Sequence, residues 1–116
     1  MDWKIVTVQK AVHEGYPRSS LTLRSLGASL HATPNYHGRL FAREVGRHFH
    51  DYLLDVRLTR ARELLSSTTL TSKEVAHEVG FKNSSTFYRA FRSASGITPK
   101  AYRIICHLKQ FTNGAE

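Results

Sequence analysis

The sequence predicts an all-α protein of about seven helices, arranged as two helix-turn-helix subdomains joined by a central linker helix. Three observations carry this. Apolar residues recur at helical spacing, and no stretch alternates as a half-buried strand would. Capping and stop residues bracket the periodic segments. The chain also repeats itself at an offset of about 50 residues.

The elements follow in order. Ile5, Val8 and Val12 space as a first helix from about residue 3, ending near Gly15 and Pro17. The repeat begins after it. Arg39-Leu40-Phe41 is echoed by Arg89-Ala90-Phe91, with Gly46 five residues past Phe41 and Gly96 five past Phe91. Tyr52 and Tyr102 each lie six residues further on. Upstream the offset is 49: Leu21-Thr22 matches Leu70-Thr71, Leu26 matches Val75, Gly27 matches Ala76 and Leu30 matches Val79. One residue is gained in the connection between.

Each copy reads as helix, tight turn, helix. In the second, Thr71 is an N-cap and Glu74 completes a capping box. Val75, Ala76 and Val79 form the apolar stripe, and Gly80 is the stop, where a left-handed residue ends a helix without steric cost. Asn83 or Ser84 caps the next helix. That helix turns Phe87, Ala90 and Phe91 inward and exposes Ser84, Ser85, Tyr88, Arg89 and Arg92. Between the copies, Phe49, Tyr52, Leu53, Val56, Ala61, Leu64 and Leu65 trace an amphipathic helix from about 49 to 66; Leu58 falls off this stripe. The predicted organisation is 1–47 for the first subdomain, 48–66 for the linker helix and 67–116 for the second subdomain with a C-terminal helix.

Charge and composition bound the function. The 116 residues carry 17 Lys+Arg against 9 Asp+Glu, a net charge of +8, at 41% hydrophobic and 22% charged residues. This is a globular composition with its basic residues dispersed, so folding must gather them on a surface. The positive field favours an acidic partner, nucleic acid first and an anionic membrane surface second; plain solubility is the alternative. No apolar run approaches the ~18 residues of a transmembrane helix. The single cysteine, Cys106, excludes a disulfide framework and a multi-cysteine zinc site. Beside Ile104 and Ile105 it reads as a buried small hydrophobe.

The second copy, Ala76-x3-Gly80-Phe81-x3-Ser85-x-Phe87-x-Arg89-x-Phe91-x4-Gly96-x2-Pro99-x2-Tyr102-Arg103, resembles the DNA-binding domain of the AraC/XylS family of transcription regulators. Thr33-Pro34-x-Tyr36-x2-Arg39-Leu40-Phe41, Gly46, Phe49-x2-Tyr52 and the stretch Arg57 to Leu65 extend the resemblance more loosely, so that it covers Leu21 to Arg103. It implies a sequence-specific regulator whose two recognition helices enter successive major grooves of promoter DNA, one chain sufficing as a monomer, with RNA polymerase as a further partner. Cytoplasmic, nucleoid-associated localisation follows. Base contacts fall to Asn35, Arg39, Ser84, Ser85, Tyr88 and Arg89, with His37 nearby in the first unit. Arg89 either chelates a guanine or clamps a phosphate. Phosphate contacts fall to Arg43, Arg47, Arg92 and Lys100. Arg57, Arg60 and Arg62 read instead as structural partners of neighbouring acids such as Glu63.

The first copy departs from the pattern. His31 stands for Gly80, His37 for Phe87, and Gly38 weakens the recognition helix. The expectation is that the first unit relies more on phosphate contacts than on base readout. Seven histidines invite a metal site, but no His-x3-His pair with a carboxylate appears, so no metal or cofactor is expected. No nucleophile elbow or phosphate-binding loop suggests an enzyme. Ile104, Ile105, Leu108 and Phe111 extend the last helix and are expected to pack on the second unit. The alternative is an apolar face for RNA polymerase or a second protomer. The chain fits a stand-alone regulator; the alternatives are a DNA-binding domain excised from a longer ligand-responsive regulator, or a sequence-neutral basic nucleic-acid-binding protein.

Overall fold

The structure is a computed structural model that describes residues 3–27 and 34–114, with side chains described for 3–26 and 36–110. Among these residues there are seven helices and no strand: α1 (Trp3–Gly15), α2 (Leu23–Gly27), α3 (Pro34–Val45), α4 (Phe49–Ser67), α5 (Ser72–Glu78), α6 (Ser84–Ser95) and α7 (Pro99–Gly114). The chain forms two compact units, Met1–Arg57 and Leu58–Glu116, the division falling inside α4. The predicted all-α architecture with two helix-turn-helix pairs, α2–α3 and α5–α6, is the one observed. His31, paired with Gly80 in the sequence repeat, lies outside the described residues.

In the first unit, α1 and α2 both pack on α3. Ile5, Val8 and Val12 of α1, Leu21 ahead of α2, Leu40 and Phe41 of α3, and Phe49 and Leu53 of α4 form the core. Thr22 and Ser25 hold the start of α2 by reciprocal bonds: the Ser25 amide donates to Thr22 Oγ1 at 3.1 Å and the Thr22 amide to Ser25 Oγ at 3.0 Å. His37 is 1% exposed, and neither ring nitrogen has a hydrogen-bond partner. It occupies the inward position that Phe87 fills in α6, which is why the helix accepts it: an imidazole is flat and packs edge-on to Tyr36, with ring centroids 5.6 Å apart.

In the second unit, α5 and α7 pack on α6. The capping box reads directly: the Glu74 amide donates to Thr71 Oγ1 at 3.1 Å and the Thr71 amide to Glu74 Oε1 at 3.0 Å. Gly80, with φ of 104°, reverses the chain after α5, and the Phe81 amide reaches back to the Ala76 carbonyl at 3.0 Å. Phe81 is thereby delivered under the turn, its ring 5.3 Å from that of Phe87. Asn83, one of the two predicted caps, caps α6 by accepting from the Thr86 amide at 2.8 Å. The buried set is Leu58, Ala61, Leu65, Val75, Ala76, Val79, Phe81, Phe87 and Phe91. Leu58, off the apolar stripe predicted for the linker, is thus a core residue of this unit.

One local structure occurs twice. Gly46 and Gly96 take φ of 83° and 81° and donate to the Ala42 and Arg92 carbonyls at 2.9 and 2.8 Å. The next helix then starts at the same register, with the Tyr52 and Tyr102 amides on the His48 and Thr98 carbonyls at 3.0 and 2.9 Å. Tyr52 meets Phe41 edge-on at 5.3 Å and 77°, and Tyr102 meets Phe91 at 5.6 Å and 75°. Burying each phenylalanine stabilises its unit by about 2–3 kcal/mol. The tyrosine hydroxyls differ in partner: Tyr52 reaches His13 Nε2 at 2.9 Å, whereas burial, and then a hydrogen bond with half-buried Cys106, raise the pKa of Tyr102.

The tail corrects an expectation. Ile104, Ile105 and Leu108 are 51%, 41% and 61% exposed rather than packed on the second unit. The reason is register: Tyr102, whose ring lies on Phe91, and Arg103, whose Nε bonds the Leu65 carbonyl at 3.0 Å, turn the inner side of α7 inward. The isoleucines that follow them are carried to solvent.

Three stability tests follow. Thr71→Ala is expected to destabilise the second unit by about 1 kcal/mol in denaturant unfolding. The backbone bond from Thr71 depresses the Glu74 pKa. Its contribution is therefore present above the unfolded-state pKa and lost as pH falls through the folded-state value. Glu74→Gln should destabilise at neutral pH and be indistinguishable from wild type in acid. His37→Phe removes two unsatisfied buried nitrogens and should stabilise the first unit by about 1–2 kcal/mol; a loss of stability would show that the imidazole has a polar partner.

Candidate nucleic-acid interface

The face of α6 is built by helical periodicity. Ser85, Tyr88, Arg89 and Arg92 stand at i, i+3, i+4 and i+7, so they share one side, and all are exposed. Phe87 and Phe91 are fully buried on the other side and fix the rotation of the helix. Ser84 is half-buried in the first turn. No acid occurs anywhere along α6, so the phenol, hydroxyl and guanidinium donors of this face form an uninterrupted electropositive strip. Lys100 is exposed in the first turn of α7, after Thr98, whose hydroxyl accepts from the Ala101 amide at 3.1 Å.

On α3, Arg39 and Arg43 are exposed on one side together with Tyr36. Tyr36, Arg39, Leu40 and Arg43 line a hollow of about 370 Å³. Tyr36 is a surface residue that the sequence reading missed, because its repeat partner is the unremarkable Thr86 and only α3's rotation shows it facing out. Lys4 Nζ of α1 lies 5.7 Å from its ring centroid, a pairing across helices with no sequence signal, and 5.6 Å from the ring of the adjacent Trp3. Asn35 is in the first turn of α3, and its side chain lies outside those described. His37 turns into the core, so its expected place near the readout surface is corrected.

A second, larger groove of about 550 Å³ is lined by Leu23, Gly38, Arg39, Ala42, His48, Phe49 and His50. A Cβ on Gly38 would meet only Leu23 Cδ1, at 3.7 Å, so this stretch of α3 is open.

The remaining cations divide by partner. Arg47 is ion-paired with Asp55, which raises its pKa through a side-chain hydrogen bond. This engages a guanidinium predicted to hold phosphate; Arg43, Arg92 and Lys100 remain exposed. Arg57 is structural and bonds backbone. Its Nε and Nη2 donate to the carbonyls of Tyr16 and Arg18, each at 2.9 Å, and burial lowers its pKa. Arg60 bridges Glu63 at 2.8 Å as expected, while Arg62 donates to Thr59 Oγ1 at 3.1 Å. Among the described residues, no three His, Cys, Asp or Glu side chains gather where they would hold a metal ion.

A family profile described as a helix-turn-helix domain matches residues 26–104. The chain is 38% identical over 85 residues to the uncharacterized HTH-type transcriptional regulator YtdP of Bacillus subtilis (strain 168), an alignment covering 73% of this chain. It spans 11% of that relative's length. The C-terminal domain of AraT, a response regulator from Geobacillus stearothermophilus, superposes with a TM-score of 0.87 at 32% identity, covering 90% of this chain and 86% of that one. The DNA-binding domain of AdpA, solved with a target DNA, shares the fold with a TM-score of 0.84 at 23% identity, covering 90% and 94%.

The two carbonyl bonds of Arg57 tie α4 to the turn after α1. Arg57→Met, which keeps the aliphatic stem, should destabilise the first unit by about 2 kcal/mol in denaturant unfolding, since bonds from a charged donor are the stronger kind. An unchanged midpoint would show these bonds to be replaceable by water.

Proposed function

Because the chain belongs to the AraC-type helix-turn-helix family, we propose that it acts as, or within, a transcriptional regulator that binds double-stranded promoter DNA at specific sequences. In this reading α6 and α3 enter successive major grooves, where the donor and acceptor pattern distinguishes all four base pairs. The observation that carries it is the face of α6: Ser85, Tyr88, Arg89 and Arg92 exposed on one side of a helix that lacks any acid and is locked in rotation by Phe87 and Phe91. A sequence-neutral basic protein has no need of a helix oriented in this way. The role is one of binding rather than catalysis, exercised on the nucleoid in the cytoplasm by a monomer on its site, with RNA polymerase as the further partner.

Arg89, Tyr88, Ser85 and Ser84 are the base-reading group of the second unit. Arg39 and Asn35, beside Tyr36, serve the first. Arg43, Arg92 and Lys100 hold phosphates, and Arg47 contributes less because Asp55 already engages it.

Selection of bound sequences from a random DNA pool tests the reading. The expected result is a motif of two half-sites whose complex survives a ~10³-fold excess of unrelated DNA. A complex that unrelated DNA displaces at parity would defeat it. On the selected site, Arg89→Ala should cost about 1–3 kcal/mol of discrimination at one base position. Arg39→Ala should cost less, while Arg92→Ala should weaken all sequences alike and reduce the salt slope by about 1. Equal losses from Arg39→Ala and Arg89→Ala across mutated half-sites would contradict the asymmetry.

A further inference from the structure

The repeated turn allows the two units to be compared residue by residue. With Phe41, Gly46 and Tyr52 in the same geometry as Phe91, Gly96 and Tyr102, the positions between them correspond without adjustment. Ala42 takes the place of Arg92, His48 that of Thr98 and His50 that of Lys100; just upstream, Gly38 takes the place of Tyr88. The second unit thus presents two permanent cations, Arg92 and Lys100, around the start of α7. The first presents none at those positions. It has an alanine and an imidazole there, with a second imidazole in place of the threonine.

The same substitutions shape the surface. With no side chain at Gly38 and only a methyl at Ala42, α3 is hollowed into the groove of about 550 Å³ described above. Leu23, Ala42 and Phe49 give it an apolar floor, and Arg39, His48 and His50 are its polar lining. The titratable groups facing it are therefore Arg39 from α3 and the two histidines at the start of α4; α2 contributes only Leu23. No carboxylate lines it; the acid adjacent to the histidines is Asp51 in the first turn of α4, which, like Asp55, acts on the Arg47 guanidinium. An apolar floor with a cationic rim suits a deoxyribose-phosphate unit, the sugar lying on the floor and the phosphate oxygens at the rim.

We propose that this groove seats a DNA phosphate held by His48 and His50, beside the base-reading Arg39, so that the first unit grips DNA in a proton-linked way while the second does not. The inference rests on the DNA-binding reading above and adds a regulating variable to it. Imidazole changes charge between about pH 5 and 8, and only its protonated form is a cation that attracts phosphate. Lysine and arginine stay charged throughout that range. The sign follows: affinity rises as pH falls, and the salt dependence steepens with it.

The test uses the full chain and the selected DNA, with affinity measured by fluorescence anisotropy at about pH 6 and about pH 8 over a salt series. Wild type is expected to bind about five- to tenfold more tightly at the lower pH, with a salt slope steeper by about 1–2. Truncating the duplex so that the first half-site is missing should abolish the pH effect; scrambling the bases of the second half-site should preserve it. The double variant His48→Gln, His50→Gln should bind weakly at both pH values. His48→Gln with His50→Lys should bind tightly at both. Repeating the series in a His37→Phe background keeps the buried imidazole of α3 out of the comparison. A pH-independent wild type, or a pH effect that survives in the double glutamine variant, overturns the inference and leaves the DNA-binding reading intact. Absence of sequence-selective binding at both pH values overturns both.

Discussion

The edge-on contact between a phenylalanine and a tyrosine across a left-handed glycine is the constraint on which each half of this protein depends. Phe41 and Phe91 are fully buried residues of their recognition helices, and Tyr52 and Tyr102 close over them from the helix that follows. The glycine is needed because the chain must reverse at positive φ, where a Cβ would clash with the backbone. Once ring, turn and ring are in place, the rotation of the recognition helix is set. Every exposed residue on it then has a defined direction, and the surface chemistry is a consequence of the core.

The same constraint separates what the two halves share from what they do not. Their inward positions are interchangeable to the extent that an imidazole, His37, fills the site of a phenyl ring, Phe87, at the expense of two unsatisfied nitrogens. Their outward positions have diverged freely, since no packing depends on them. Tyr88, Arg92 and Lys100 give the second face side chains and permanent cations where the first has Gly38, Ala42 and His50, which leave a groove beside Arg39. Two copies of one scaffold therefore present two different surfaces.

Much of this was legible in the chain alone. Helix positions followed from apolar spacing, and the ends of α5 followed from Thr71, Glu74 and Gly80, because capping and left-handed stops are local interactions with local sequence signals. The repeat made the Phe-Gly-Tyr turn visible twice. The expected packing of Ile104, Ile105 and Leu108 failed because periodicity marks an apolar face without saying what lies opposite it. Tyr36 was missed for the complementary reason: its exposure depends on the rotation of α3. Arg57 reads in the sequence as a partner of neighbouring acids and Arg47 as a phosphate contact, but two carbonyls some 40 residues away and a carboxylate eight residues along decide what each is available to do.

The sequence by itself determined the helices, their caps, the twofold organisation and the net positive charge of +8. These depend on interactions within a few residues, or on sums over the whole chain. Only the tertiary structure decided which of those charges are already spent on the fold, which recognition face is full and which hollow, and that His48 and His50 share a groove with Arg39. Such facts depend on side chains brought together from different helices, and no spacing along the chain encodes the angle at which two helices meet.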